Sequence, residues 1–392
     1  MVKEEKKLTL AEAKAFVNKS IEKGGVVNLD DEHAENVDAI STGAFMLDIA
    51  TGIGGLPIGR LVEIYGEPSS GKTTATLSAM AEAQKKYGKP VLCLDYEHAI
   101  DPKYCRLLGV DLSKEKFILS QPDSFESGMK IAELYITNNL VSMVVFDSLA
   151  AMATEKELAG EPGDVHVAVL ARAMSQELRR LTAAIHKSQV CVVFINHVHD
   201  VIETGFTAKL GIKRKTTPGG KALKFYSSMR IEMAKADAIK GKIQDPISGA
   251  FIDGFTTLKV KAVITKNKMA SPFRIGYFYI HFGEGISEMR MAVDVLIARN
   301  VIGQHGTRFI VPSEITGGEP YSAAGFSKLL SYLGEGATKR NKAIEMAKGL
   351  AEGGKVEYES RVVVDGDDAG GGAEGEDPEL GAASDAAHGK AD

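Results

Sequence analysis

The sequence predicts an α/β fold with a mostly parallel, twisted sheet, and two patterns carry that prediction. The apolar run Leu61-Val62-Glu63-Ile64-Tyr65 leads into Gly66-Glu67-Pro68-Ser69-Ser70-Gly71-Lys72-Thr73 and then into a helical stretch from Thr74 to Ala83. Strand, glycine-flanked loop, Lys, Thr and helix is the order of a phosphate-binding loop. Further apolar runs alternate with helical stretches as far as Asn196, the pattern of parallel strands joined by crossover helices. At 392 residues, 44% hydrophobic and 25% charged, the chain can bury a sizeable core in one large or two to three smaller domains.

The N-terminus, Met1-Val2-Lys3-Glu4-Glu5-Lys6-Lys7, is charged and no apolar core follows, so no export signal is predicted. Thr9-Leu10-Ala11-Glu12 is a capping-box signature, with Leu8 placed as a staple. The helix it starts should carry Leu10, Ala13, Phe16, Val17 and Ile21 on one side and end near Gly24-Gly25. A short lone helix needs something to pack on, either the main body or another copy of the chain.

After the phosphate-binding helix, strands are predicted at residues 90–95, 116–120, 140–146 and 190–196. Helices are predicted at 127–138 and 168–187. Beyond Gly220 the pattern changes to strands at 227–233, 255–264 and 275–282, which suits an antiparallel edge. Helices at 292–299, 324–333 and 338–351, with a hairpin inside 299–312, predict a small C-terminal α/β lobe. From about Ser360 the chain is Gly, Ala and acid, a composition that predicts disorder. The expected divisions are 1–36 for a helix and linker in protomer packing, 37–287 for the core, 288–359 for the lobe and 360–392 for an acidic tail.

The net charge of −5 hides an asymmetry. The segment from Asp365 to Asp392 holds nine acidic residues and one lysine, a charge of −8, which leaves the body at +3. A mildly basic body is compatible with a polyanionic partner without requiring one. Cys93, Cys105 and Cys191 lack metal-ligand spacing and read as reduced thiols of a cytosolic protein. No apolar stretch approaches the ~20 residues of a membrane span, so no membrane partner is expected.

The chemistry follows from the loop. Backbone N–H groups of residues 66–71 and the helix N-terminus would face phosphate oxygens. Lys72 would reach the β- and γ-phosphates and the Thr73 hydroxyl would ligate Mg²⁺. Asp147 ends the apolar strand Val141-Ser142-Met143-Val144-Val145-Phe146, where an acid holds Mg²⁺ in phosphate-loop proteins. Glu97 follows the second strand at the edge where ligands bind in parallel sheets; it is either a water-orienting carboxylate or a surface cap. Asn196 and His197 end the fifth strand and open a long loop to Pro218 that contains Lys209, Lys213, Arg214 and Lys215, ahead of Gly219-Gly220. Such loops are functional or unstructured. A second loop spans Ala159-Gly160-Glu161-Pro162-Gly163-Asp164. Arg172, Arg179 and Arg180 have helical spacing and either track phosphates or form a solvated face. Lys266-Asn267-Lys268 reads as a turn that matters only if a nucleotide lies across an interface from it.

Together these stretches resemble the RecA family of homologous-recombination ATPases, from about residue 8 to about residue 290. The likeness rests on Ile40-Ser41-Thr42-Gly43, Gly54-Gly55-Leu56-Pro57 and Val62-Glu63-Ile64-Tyr65-Gly66 running into Ser69-Ser70-Gly71-Lys72-Thr73-Thr74. Glu97-His98-Ala99, Asp101-Pro102, Ser120-Gln121-Pro122-Asp123, Asp147-Ser148, Phe194-Ile195-Asn196, Gly219-Gly220, Ala222-Leu223-Lys224-Phe225-Tyr226 and Lys266-Asn267-Lys268 complete it.

The resemblance implies a RecA-like ATPase core, ATP and Mg²⁺ as ligands, and a cytoplasmic protein of recombination, repair and the SOS response. It implies a homo-oligomeric helical filament on single-stranded DNA that pairs with double-stranded DNA and exchanges strands. Residues 66–74, Asp101, Tyr104 and Asp147 would bind the nucleotide, Asp101 and Tyr104 at the adenine. Glu97 would activate water, with Lys72 and His197 beside it. Lys266 and Lys268 would reach the γ-phosphate held by the neighbouring protomer. Gly160, Glu161, Pro162 and Gly163 would form one DNA loop. Phe206, Lys209, Lys213, Arg214 and Lys215 would lie in the other. Arg172, Ser175, Arg179, Gly219, Gly220 and Lys221 would hold the DNA backbone. One departure is His197, where the family usually has Gln; His can also titrate. The other is that the loop from His197 to Pro218 is longer and more basic than in typical bacterial members. The alternative reading is a RecA-fold regulatory or motor ATPase without strand exchange.

Overall fold

A computed structural model describes residues 9–20, 37–160, 169–200 and 215–353. Leu8, Ile21, Gly24, Gly25, the loop residues Glu161 to Gly163, the basic-loop residues Phe206, Lys209, Lys213 and Arg214, and the acidic tail lie outside the described residues.

The core is a nine-stranded sheet. Its strands are β1 (Leu61–Gly66), β2 (Val91–Asp95), β3 (Phe117–Ser120), β4 (Met143–Asp147) and β5 (Cys191–His197). They continue with β6 (Met229–Gln244), β7 (Phe251–Asn267), β8 (Ile275–His281) and β9 (Gly285–Ile286). The spatial order is β9-β8-β7-β6-β1-β5-β4-β2-β3. The pairs from β6 through β3 are parallel, and those from β6 to β9 antiparallel. The antiparallel edge expected beyond Gly220 is therefore present.

The helices are α1 (Leu10–Ser20), α2 (Phe45–Thr51), α3 (Lys72–Tyr87), α4 (Pro102–Leu107) and α5 (Phe125–Thr137). They continue with α6 (Val169–Ser188), α7 (Gly220–Tyr226), α8 (Glu288–Ala298), α9 (Phe326–Gly334) and α10 (Ala337–Glu352). The capping box forms, with the Thr9 N–H donating to Glu12 Oε2 at 2.8 Å and the Glu12 N–H to Thr9 Oγ1 at 3.3 Å. Leu10 and Phe16 of α1 are exposed.

Every residue of β1, β2 and β4 is buried, as expected of parallel strands covered on both faces. Alternate side chains serve different layers. Val91, Cys93, Met143, Val145, Val193 and Ile195 join one cluster with Ala75, Ala79, Met80 and Ala83 of α3. Leu92, Leu94, Val144, Phe146, Val192 and Phe194 join the other with Phe125, Met129, Met174, Leu178, Leu181 and Ile185 of α5 and α6. The first cluster continues into Met291, Leu296, Phe309, Leu329 and Ala347 of the C-terminal segment. There Gly303–His305, Arg308–Val311 and Tyr321–Ala324 form a three-stranded antiparallel sheet.

Some boundaries differ from expectation. The strand predicted at 140–146 starts only at Met143, because Asn139 takes a left-handed turn (φ 53°) that leaves Leu140 exposed. The helix predicted from Ala324 starts at Phe326, since Ala324 belongs to a strand. The hairpin β6–β7 reaches well past its prediction. β6 pairs with β1 only over Met229–Met233, and β7 with β8 only over Thr257–Val263, so residues 240–244 and 251–256 form a two-stranded ribbon beyond the sheet. His199–Asp200 pairs with Lys215–Thr216 in a separate small unit.

The rings of Phe146 and Phe194, both fully buried, stack 4.2 Å apart at 5° across β4 and β5. Phe194→Ala should cost about 3–5 kcal/mol by opening a cavity under the sheet. Denaturant unfolding followed by circular dichroism measures it; a loss below about 1 kcal/mol would show that the site collapses around the smaller residue.

Candidate functional site

The loop from Gly66 to Thr73 is built by close approach. A Cβ on Gly66 would lie 2.0 Å from the Met233 carbonyl oxygen of β6. Gly71 has φ 91° and a Cβ there would lie 2.6 Å from Ile280 Cδ1. Only glycine satisfies both constraints. Gly71 caps α3 with no side-chain hydrogen bond, so the helix start presents its N–H groups rather than covering them. Ser70 Oγ is buried without a hydrogen-bond partner among the described residues. Lys72 Nζ donates to the carbonyls of Gly66 (3.1 Å) and Glu67 (2.9 Å) and so spans the loop. Burial holds the Lys72 pKa below its ordinary value, and Asp147 and Glu97 oppose that. The loop has donors and a cation but no acid in the first turn of its helix, which suits an anion.

The carboxylates come from the neighbouring strand ends. Thr73 Oγ1 donates to Asp147 Oδ2 at 3.1 Å. Burial first, then the charge of Glu97, raises the Asp147 pKa to about 7. Glu97 is exposed just beyond β2. Its Oε1 accepts from Ser148 Oγ and lies 3.2 Å from His197 Nε2. Thr73, Asp147, Glu97 and His197, named from sequence, are thus brought together with Lys72. Asp101 caps α4 by accepting from the Lys103 N–H, and Tyr104 on that helix meets Thr74 Oγ1 at 2.9 Å.

Lys266 and Lys268 sit elsewhere. Lys266 Nζ donates to the carbonyls of Lys224 (2.6 Å) and Phe225 (3.1 Å) at the end of α7, and Lys268 Nζ to that of Phe225 (3.5 Å). Burial, with Lys268 and Arg230 nearby, lowers the Lys266 pKa to about 8. Arg172 and Arg179 are exposed on α6 and Ser175 is half-buried beside them. Arg180 is engaged with Glu133 and Glu177 at 2.9 and 3.2 Å. Gly219 and Gly220 (φ 92° and 67°) bring the start of α7 against Leu149, which follows β4, and against Ala171 of α6: their Cβ atoms would lie 2.7 Å from Leu149 Cδ2 and 2.8 Å from Ala171 Cβ. Lys221 follows, exposed. Gly160 is half-buried at the end of the described loop segment, and Lys215 lies in the short strand pair.

Sequence reasoning missed three partners. Ser148 holds Glu97. Asp95 accepts from the Ala99 and Ile100 N–H groups (3.4 Å each) and from Gln121 Nε2 (3.2 Å), which shapes the turn bearing Glu97. Glu63, wholly buried in β1, pairs with Arg230 and Asn196. The one signal available for Glu63 was an acid in an otherwise apolar strand.

A family model described as the RecA N-terminal domain matches residues 8–287. Protein RecA of Ruminococcus albus is 43% identical over 311 residues, covering 78% of this chain and 72% of that one. Protein RecA of Clostridium acetobutylicum is 43% identical over 305 residues, covering 78% and 82%. Protein RecA of Staphylococcus carnosus is 44% identical over 290 residues, covering 74% and 77%.

The raised Asp147 pKa has a stability consequence. Its contribution is present in full below the ordinary value of 3.8 and is lost as pH rises towards about 7. Asp147→Asn should therefore raise the melting temperature of the ligand-free protein at pH 8 and change it little at pH 4. Calorimetry at both pH values checks this; an equal shift at both would point to packing instead.

Proposed function

The chain belongs to the RecA family, and from that premise we propose how its residues divide the work of a single-stranded-DNA-dependent ATPase that pairs and exchanges strands. As a member it binds ATP and DNA and acts in recombination and repair. ATP would lie with its phosphates on residues 66–74, Lys72 exchanging the carbonyls of Gly66 and Glu67 for β- and γ-oxygens. The unpartnered Ser70 hydroxyl and the uncapped start of α3 support this. Asp101 and Tyr104 would face the adenine, since α4 is tied to Thr74 beside the loop.

Mg²⁺ would be held by Thr73 and Asp147, whose oxygens already meet. Among the described residues no group of three His, Cys, Asp or Glu could hold a metal. That suits a magnesium ion sharing its ligands with phosphates and water. When bound, it would neutralise charge on the phosphates. Glu97 would take a proton from water as the water oxygen attacks the γ-phosphorus and ADP leaves.

One contact carries the reading: His197 meets Glu97 at 3.2 Å. His197 is also the last residue of β5 before the long basic loop. The carboxylate proposed to set the hydrolysis rate thus touches the start of the segment proposed to hold DNA. The second DNA loop would be residues 160–163, with Arg172, Ser175, Arg179, Gly219, Gly220 and Lys221 along the backbone track. Phe206, Lys209, Lys213, Arg214 and Lys215 would belong to the long loop.

Protomers would assemble into a helical filament on single-stranded DNA and take up double-stranded DNA. In it Lys266 and Lys268 would reach the neighbour's γ-phosphate, and exposed Leu10 and Phe16 of α1 would pack on the next protomer. ATP would then favour the filament through contacts that hydrolysis removes. Segments 1–36, 37–287, 288–359 and 360–392 would serve packing, catalysis, a C-terminal lobe and an acidic screen. Among the described residues no helix is long and apolar enough to cross a membrane, and a cytoplasmic site fits three buried free cysteines.

Phosphate release with and without single-stranded DNA tests this. The wild-type chain should be stimulated, and Glu97→Gln should lose about 100-fold or more in turnover while filaments persist in electron micrographs. Absence of stimulation would favour the regulatory or motor alternative, and unchanged turnover would remove Glu97 from catalysis. Deleting residues 365–392 should tighten binding to duplex DNA, most at low salt; a salt titration with no change would remove the screening role.

A further inference from the structure

Glu63 is a wholly buried carboxylate at the middle of the sheet, and the proposed chemistry leaves it unused. Both its oxygens are bonded. Oε2 lies 2.6 Å from Arg230 Nε on β6, and Oε1 accepts from Asn196 Nδ2 on β5 at 2.9 Å. β1 runs between those two strands, so one side chain ties both neighbours.

The connections continue on each side. Asn196 Nδ2 also donates to the Pro218 carbonyl at 3.0 Å, and Asn196 Oδ1 accepts from the His197 N–H at 3.0 Å. The amide therefore fixes His197, where the chain leaves the sheet, and Pro218, where it comes back. On the other side Arg230 is the register partner of both Glu63 and Lys266. Its guanidinium lies 4.6 Å from the Tyr65 ring centroid, and the Tyr65 hydroxyl meets Thr265 Oγ1 at 2.9 Å. The charges of Arg230 and Glu63 both act on Lys266.

Stability alone does not explain such a pair. A buried ion pair is often matched or bettered by apolar side chains of similar volume, and the strands around this one are apolar. We propose that Glu63 is a positioning residue that couples the Lys266–Lys268 turn to His197 and Pro218, the two ends of the DNA loop, through the register row Lys266, Arg230 and Glu63 and the diagonal contact from Glu63 to Asn196 on β5. This rests on the DNA-dependent ATPase reading above and extends it to regulation. Occupancy at Lys266 would set where Arg230 sits, Glu63 would follow, and Asn196 would carry the change to His197 and so to Glu97.

The test compares three variants by steady-state phosphate release, with calorimetry and fluorescent-nucleotide binding as folding controls. Glu63→Gln with Arg230→Met removes both charges together and keeps an oxygen for Asn196. It should fold, bind nucleotide as the wild type does, and lose about tenfold in stimulation by single-stranded DNA, about 1.4 kcal/mol of coupling. Asn196→Ala leaves the ion pair intact and should lose a similar factor, so the inference stays testable if the double variant fails to fold. All three changes combined should fall no further than the more impaired variant, because they interrupt one connected path. Folded variants with wild-type stimulation, or losses that multiply in the combined variant, overturn the coupling while leaving the ATPase reading intact. A wild-type chain without stimulation overturns both.

Discussion

Parallel pairing in register is the constraint on which the site depends. Gly66 lies opposite His197, Asp95 opposite Asp147, and Gly66 also opposite Met233. These pairings gather the ends of four parallel strands on one edge, the edge where ligand crevices form in such sheets. Lys72, Asp147, Glu97 and His197 come from stretches more than 120 residues apart at their extremes, yet no long-range loop has to bring them together. The sheet does it, and the glycines at 66 and 71 let the backbone bend back over that edge.

Much of this was legible. The glycine-flanked loop is visible because the chemistry proposed for it uses adjacent residues: Gly71 caps the helix that Lys72 and Thr73 begin. The buried strands are visible because a strand covered on both faces must be apolar, as Val91 to Leu94 and Met143 to Phe146 are. The capping box of α1 is likewise local. What lay beyond reading depends on register. Glu63 meets Arg230 across 167 residues and Asn196 across 133, and nothing at either position reports the other. The reach of β6 and β7 was hidden because a ribbon beyond the sheet has no buried face to impose alternation. Ser148 was passed over because a serine after a strand-end aspartate resembles any turn residue.

The site carries charge at a cost to the fold. Asp147 is buried as an acid with a raised pKa, Lys72 is buried as a base with a lowered one, and Lys266 is shifted down by burial first and then by its neighbours. Each is displaced toward its neutral form, the direction that a compensating ligand charge reverses. A triphosphate and a divalent cation placed as proposed would supply opposite charges to these groups, which would link ligand binding to local stability. The acid expected to hold the cation accepts from Thr73, the neighbour of the base expected to meet the phosphates, and the charge of each partly offsets the burial of the other.

The β6–β7 ribbon has a practical consequence. Over residues 240–244 it extends about 13 Å at ~3.3 Å per residue beyond the last strand pairs, and Ile247 near its tip is 94% exposed. Cys93, Cys105 and Cys191 are all buried. A thiol introduced at Ile247 would therefore be chemically unique among the described residues of the folded surface, and a dye placed there would sit beyond the last pairs that β6 and β7 make with β1 and β8.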